Sequence, residues 1–205
     1  MEGNQVTQIR SNLSVALAPP LRPFKPEDAD TVARLNDMAS GGILLTVWKR
    51  MAGTNGDPWE HGRHQQFEQI ESGWSIVVLD QGSGVEAVMM GQPHGVEPAS
   101  LEGVDAEWVP LMELENLVPK AWFINVLAVL PEYRGQGHGA LLMEQAQSMA
   151  RAGGHSRMAL VVSDASIPAI RLYERSGFEE IARRPMFKGD WTGPGQDWVL
   201  MVKPL

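Results

Sequence analysis

Six consecutive residues, Arg134-Gly135-Gln136-Gly137-His138-Gly139, have the types and spacing best suited to chemistry in this chain. Glycine adopts left-handed backbone conformations that other residues avoid, so three in six positions allow a turn whose N–H groups point outward. A helix starting at such a turn adds its own unpaired N–H groups and the positive end of its dipole. An anion such as a pyrophosphate fits there, and Arg134 can add a charge-assisted hydrogen bond. The spacing does not match the dinucleotide fingerprint G-x-G-x-x-G, and the phosphate-loop ending Gly-Lys-Ser/Thr is absent. A glycine turn needed only for tight packing is the alternative that this stretch alone leaves open.

The elements on either side must position the turn. Residues 122–129, Trp-Phe-Ile-Asn-Val-Leu-Ala-Val, are apolar, aromatic and β-branched and stop short of Pro131, which predicts a buried strand. After the turn, Leu142, Ala146 and Met149 stand at i, i+4 and i+7, which predicts a helix to about Ala152, ended by Gly153-Gly154. Upstream, the pattern predicts a short edge strand at 21–24, because proline cannot donate to a ladder. Helices follow at 26–38, 43–51 and 62–72. Asn55-Gly56-Asp57-Pro58 reads as a turn, and a hairpin joins strands at 74–79 and 85–91. An acid-rich loop at 92–109 leads to a short helix at 110–117. Downstream come a strand at 158–162, a helix at 166–176 with Ser166 as N-cap and Gly177 as C′, and strands at 178–182 and 198–203 around a loop at 185–196. This order alone indicates α/β or α+β architecture.

The chain has 205 residues, enough for one domain with a real core. Residues 1–18 are polar and patternless and are expected to be loosely ordered, leaving 19–205 as a single domain. No apolar run reaches the roughly 18 residues that span a bilayer. The first twenty residues lack a basic start and a continuous apolar segment, which argues against a secretory signal. There are no cysteines, so no disulfide, thiolate nucleophile or zinc–thiolate site can form, and a cytoplasmic location is expected. The net charge of −8 argues against nucleic-acid binding and suits either simple solubility or attraction of a cationic amine. His61 and His64 could share a helix face, but no recognised ligand set accompanies them, so no metal is expected.

Two motifs in order carry a family resemblance. Leu127-Ala128-Val129 followed by Pro131 to Gly139 resembles the coenzyme A signature of the GNAT superfamily of N-acetyltransferases, R/Q-x-x-G-x-G/A, filled by Arg134, Gly137 and Gly139. Ala169-Ile170-Arg171-Leu172-Tyr173-Glu174-Arg175-Ser176-Gly177-Phe178 resembles the second signature, a helix carrying L-Y-E and ending at G-F. The resemblance implies the GNAT fold: a mixed central sheet, flanked by helices, that splays between its fourth strand (122–129) and fifth strand (158–162). It implies acetyl-CoA as the acyl donor and an amine acceptor, either a small molecule or a peptide N-terminus, used in a ternary complex. From charge and hydropathy neither a nucleic-acid nor a membrane partner is expected, and a homodimer is left open. A non-catalytic acyl-CoA sensor on the same fold is the rival from another class.

Residue by residue, the resemblance implies that backbone groups of Leu127, Ala128 and Val129 grip the pantetheine, one N–H also stabilising an oxyanion. Arg134, Gly135, Gln136, Gly137, His138 and Gly139 would hold the pyrophosphate. His138 is read as an exposed loop residue contributing its N–H, not as a base. Tyr173 would be the general acid for the departing thiolate. Two departures stand out. Where many members begin the second motif with asparagine this chain has Ser166, with Asp164 nearby. Where some carry a glutamate base early in the fourth strand it has Phe123. A base must then come from elsewhere. Glu113, Glu115, Glu60 and His61 are candidates, each also readable as a solvated surface residue, and Glu115 is assigned the catalytic role beside Tyr173. Trp48, Trp59, Trp74 and Trp108 could form an aromatic wall on the acceptor side, with core packing as the alternative.

Overall fold

The computed structural model describes residues 15–205. Residues 1–14, most of the segment expected to be loosely ordered, lie outside the described residues. At its end Val15 and Leu17 pack against the core, so that end is attached to the fold.

In chain order the elements are β1 (Leu21–Pro23), α1 (Ala29–Ala39), α2 (Ile43–Ala52), α3 (Pro58–Glu71), β2 (Ser75–Leu79), β3 (Ala87–Pro93), α4 (Val109–Glu115), β4 (Trp122–Val129), α5 (His138–Ala152), β5 (Arg157–Ser163), α6 (Ile167–Arg175), β6 (Glu179–Pro185) and β7 (Asp197–Pro204). The strands form one seven-stranded sheet in the order β1-β2-β3-β4-β5-β7-β6. Every neighbouring pair is antiparallel except β4 and β5. A parallel pair needs a crossover, and α5 supplies it. β2 is buried at every position because helices cover both faces: Val77 and Leu79 enter the core beneath α5, Ile76 and Val78 the core beneath α1.

Two features of β4 shape the centre of the molecule. It pairs with β5 only through Trp122, Phe123 and Ile124, opposite Met158, Ala159 and Leu160. Beyond that point β4 continues against β3, and β5 continues against β7, so the sheet opens between them. This is the splay that the family resemblance implies. The opening coincides with a β-bulge. Ile124 faces Gly91 and Val126 faces Met90, which leaves Asn125 as the extra residue. Gly91 is required there, because a Cβ would lie 2.7 Å from the Phe123 carbonyl oxygen and press on the Trp122 ring.

The bulge reverses which side chains face which core. Before it, Trp122 and Ile124 lie on the α5 side and Phe123 on the other. After it, Leu127 and Val129 lie on the α5 side, while Val126 and Ala128 turn to α1. The α5 stripe is as the spacing predicts: Leu142, Ala146 and Met149 are fully buried. A third cluster gathers Ile43, Leu114, Phe123, Trp191, Trp198 and Leu200 where α2, α4 and the 185–196 loop meet.

The helix predicted at 62–72 starts earlier. Asp57 is its N-cap, accepting a 3.0 Å hydrogen bond from the Trp59 N–H, and Pro58 occupies the first helical position. The Asn-Gly-Asp-Pro cluster is therefore a helix start as well as a turn.

Candidate active site

After β4, Pro131–Tyr133 makes one 3-10 turn and Arg134 is extended. Gly135 and Gly137 then take φ of 77° and 87°. A Cβ at either would meet nothing within 4 Å, so conformation and not space calls for glycine. Gly139, inside α5, differs: a Cβ there would approach Leu172 Cδ2 at 3.1 Å, so this glycine lets α5 and α6 pack closely. The Leu141 N–H donates to the Gly137 carbonyl at 3.0 Å. The N–H groups of His138, Gly139 and Ala140 therefore have no carbonyl one turn back, and they form the free helix start expected of an anion site. Arg134 folds back over the end of β4, its Nε donating to the Val129 carbonyl at 3.2 Å.

His138 is not exposed as predicted. It is the first residue of α5, only 6% exposed, with Nε2 2.9 Å from Glu86 Oε2. Its side chain reaches under the turn to a buried carboxylate on the β2–β3 connection. Its backbone N–H remains in the free first turn. Nothing in the sequence pairs positions 86 and 138, because the contact forms only once the hairpin lies beside the crossover.

The opening between β4 and β5 begins at Asn125, whose Oδ1 is buried and has no hydrogen-bond partner. Leu127, Ala128 and Val129 follow on the strand that β5 leaves. Tyr173, on α6, is buried in the α5-side core with its ring beside Phe178. Burial pushes its phenol up to about 12, so it stays protonated and able to donate. Ser166 is at the N-cap position of α6, and its carbonyl accepts from Ile170 at 3.0 Å. Its hydroxyl makes no capping bond, so the predicted position holds without the predicted side-chain cap.

The four candidate bases separate. Glu113 pairs with Arg184 at 2.8 Å, tying α4 to β6. Glu60 is exposed and His61 half-buried on α3, which packs against α1 and α2. Glu115, the last residue of α4, is no solvated surface acid: its side chain is 28% exposed, and burial pushes its carboxyl up to about 7. Its Oε2 lies 3.9 Å from His94 Nε2. The His94 ring stacks on Phe123 at 4.4 Å, nearly parallel, and burial lowers its pKa. Phe123, which stands where some relatives carry a glutamate, is thus covered by a titratable ring. Sequence reasoning missed His94, which carries no motif and reaches Phe123 only through the β3–β4 pairing.

The tryptophans follow the core-packing reading rather than the acceptor wall. Trp48 is buried in α2 against Trp59 and Gly62, and Trp74 packs into the α1-side core. Trp108 does join the cluster around Phe123 and Leu114. The same cluster holds Trp191 and Trp198, which stack on each other at 6.1 Å and 5°. Trp191 Nε1 donates to the Gly41 carbonyl at 2.9 Å, holding the 185–196 loop against the α1–α2 turn. Among the described residues no group of three or more His, Asp or Glu side chains could hold a metal ion. Among the same residues no helix is long and apolar enough to cross a membrane.

A family model described as the acetyltransferase (GNAT) family matches residues 46–178, more than half of the chain. The chain belongs to the GNAT acetyltransferase family. An N-alpha-acetyltransferase of Sulfurisphaera tokodaii is 34% identical over 96 residues, covering 46% of this chain and 54% of that protein. The GNAT chain thus spans about half the length of this relative. A ribosomal-protein-alanine N-acetyltransferase from Brucella melitensis shares the fold at a TM-score of 0.60 and 20% identity, over 90% of this chain and 99% of that one. A GNAT family acetyltransferase from Elizabethkingia anophelis with acetyl-CoA bound aligns at a TM-score of 0.51 and 15% identity, over 69% of this chain and 82% of that one.

Proposed function

We propose that this GNAT protein transfers the acetyl group of acetyl-CoA to a primary amine by direct attack while both are bound. One observation carries the reading. The sheet parts at Asn125 and Ile124, and the strand left open leads through the 131–137 turn to a helix start with free N–H groups. A bare strand edge for an extended amide chain thus lies beside a nest for a pyrophosphate. The unpartnered buried Oδ1 of Asn125 adds a waiting acceptor at the point of parting.

Acetyl-CoA supplies an activated acyl group as its thioester. Backbone groups of Leu127, Ala128 and Val129 pair with the pantetheine arm as a neighbouring strand would. One of their N–H groups donates to the acyl oxygen as charge builds there. Arg134 through Gly139 hold the pyrophosphate, and the Ser166 hydroxyl is free to hydrogen-bond the cofactor. Glu115, directly or through His94 or a water, takes the proton that the amine loses. Tyr173 donates to the sulfur as it departs. A phenol at about 12 lies above a thiol near ~8.5, so its hydrogen bond strengthens as the sulfur gains charge and carries most of the effect. A protonated amine gives up two protons, one before attack and one as the amide forms; one of them balances the proton that the sulfur takes up, and the other passes through Glu115 to solvent.

The acceptor is a primary amine, and the relative's description as an N-alpha-acetyltransferase favours a peptide N-terminus. The −8 charge suits a protonated amine approaching the site. The test is thiol release from acetyl-CoA across a panel of small amines and peptides with free N-termini. Acceptor-dependent release with matching N-acetyl product is expected. Tight coenzyme A binding with no release on any amine would refute catalysis and leave a sensor.

A further inference from the structure

The proposed mechanism gives no role to the buried side-chain pair of Glu86 and His138. Their side chains are 4% and 6% exposed and meet at 2.9 Å. Both elements beneath are fixed. The Glu86 N–H donates to the Leu79 carbonyl at the end of β2, and the Glu86 carbonyl accepts from Leu130 just after β4, each at 2.9 Å. Gln81 lies 3.3 Å from the same His138 nitrogen, and Tyr133 stacks on the ring at 6.3 Å. The pair thus joins the β2–β3 connection to the first residue of α5.

Such a pair is a poor device for stability alone. Burying a carboxylate costs desolvation that an apolar pair of similar volume would avoid. Its location suggests another use. His138 directly follows Gly137, with Gly135 two residues further back; both take positive φ, and glycine's wide conformational range does little by itself to fix the turn. The N–H groups that must converge on an anion belong to His138 and the next two residues. Whatever pins His138 sets the angle of that cradle and removes the ordering cost from binding.

We propose that Glu86 is a positioning residue for the pyrophosphate loop, acting through His138 to hold the first turn of α5 in its anion-binding orientation. The role rests on the coenzyme A site proposed above. It adds to that site a residue from a distant hairpin that touches no ligand.

The test is calorimetric titration of coenzyme A, which needs neither an acceptor nor turnover. Glu86→Leu keeps bulk and removes the acceptor, and its Kd should rise roughly tenfold. Glu86→Gln keeps an acceptor oxygen for Nε2–H and should stay within about threefold of the parent. In a His138→Ala background Glu86→Leu should add nothing, since its effect passes through His138. Parent-like affinity in Glu86→Leu overturns the proposal, and so does full additivity of the two substitutions. If Glu86→Leu does not fold by circular dichroism, Glu86→Ala replaces it in the parent and His138→Ala backgrounds: weakening in the parent but not in His138→Ala supports the role, and equal effects in both, or none, refute it. A parent that does not bind coenzyme A refutes the proposed function itself, an outcome the variants cannot mimic.

Discussion

Replacing Glu115 by glutamine removes a charge while keeping the shape, and it should change two independent measurements. Burial pushes this carboxyl from the ordinary 4.5 to about 7. A shift of ~2.5 units at 1.36 kcal/mol each corresponds to about 3 kcal/mol against the ionised form in the fold. The sign follows from proton counting. Below pH 4.5 the carboxyl is protonated in both states and contributes no difference. Between 4.5 and about 7 the unfolded chain releases the proton first, so the parent loses stability as pH rises. Above that window the loss is complete. Glu115→Gln should therefore match the parent near pH 4 and exceed it by up to about 3 kcal/mol at pH 8.5, read by urea unfolding. Activity should move oppositely. The parent's kcat/KM on an amine should rise tenfold per pH unit below about 7 and then level, because only the carboxylate accepts a proton. The variant should lose that limb and fall by about 10²- to 10⁴-fold. A variant with the parent's pH profile and rate, or a stability difference that does not change with pH, would refute the reasoning.

Gly137→Glu places a side chain at φ 87° and a negative charge beside the free N–H groups, and calorimetry should show coenzyme A affinity lost while the circular dichroism spectrum is kept. Tyr173→Phe retains the buried ring and removes the donor, so kcat should fall by about 10²- to 10⁴-fold with little change in coenzyme A affinity; full turnover would return Tyr173 to a packing role. Leu142→Ala, at a fully buried position of the α5 stripe, should cost about 2–5 kcal/mol in thermal or urea unfolding.

The elements that carry the site were largely legible because their signals are local. The run from Trp122 to Val129 is bounded by Pro131, and the strand ends where the residues say it should. The α5 stripe and Gly177 beyond α6 follow from spacing and conformation. What was not legible depends on pairing between distant segments. Asn125 reads as one more strand residue, and only its place opposite the Met90–Gly91 step makes it the bulge at which the sheet opens. Glu86 meets His138, and His94 covers Phe123, across elements whose contact no spacing encodes. Trp191 and Trp198 carry no motif, and their stacking depends on a loop that folds back to Gly41. The start of α3 is hidden for a local reason: Asp57-Pro58 suits both a turn and a helix start, and the residues alone do not separate the two.

Hydrogen–deuterium exchange with and without coenzyme A tests the central claim most directly, that the opened strand and the helix start beside it form one binding surface. The account predicts marked protection on binding in the segments 125–129 and 135–141. The edge strand at Leu21–Pro23, away from the opening, should be unaffected. Unchanged exchange in both segments under saturating coenzyme A, or protection confined to another part of the sheet, would contradict it.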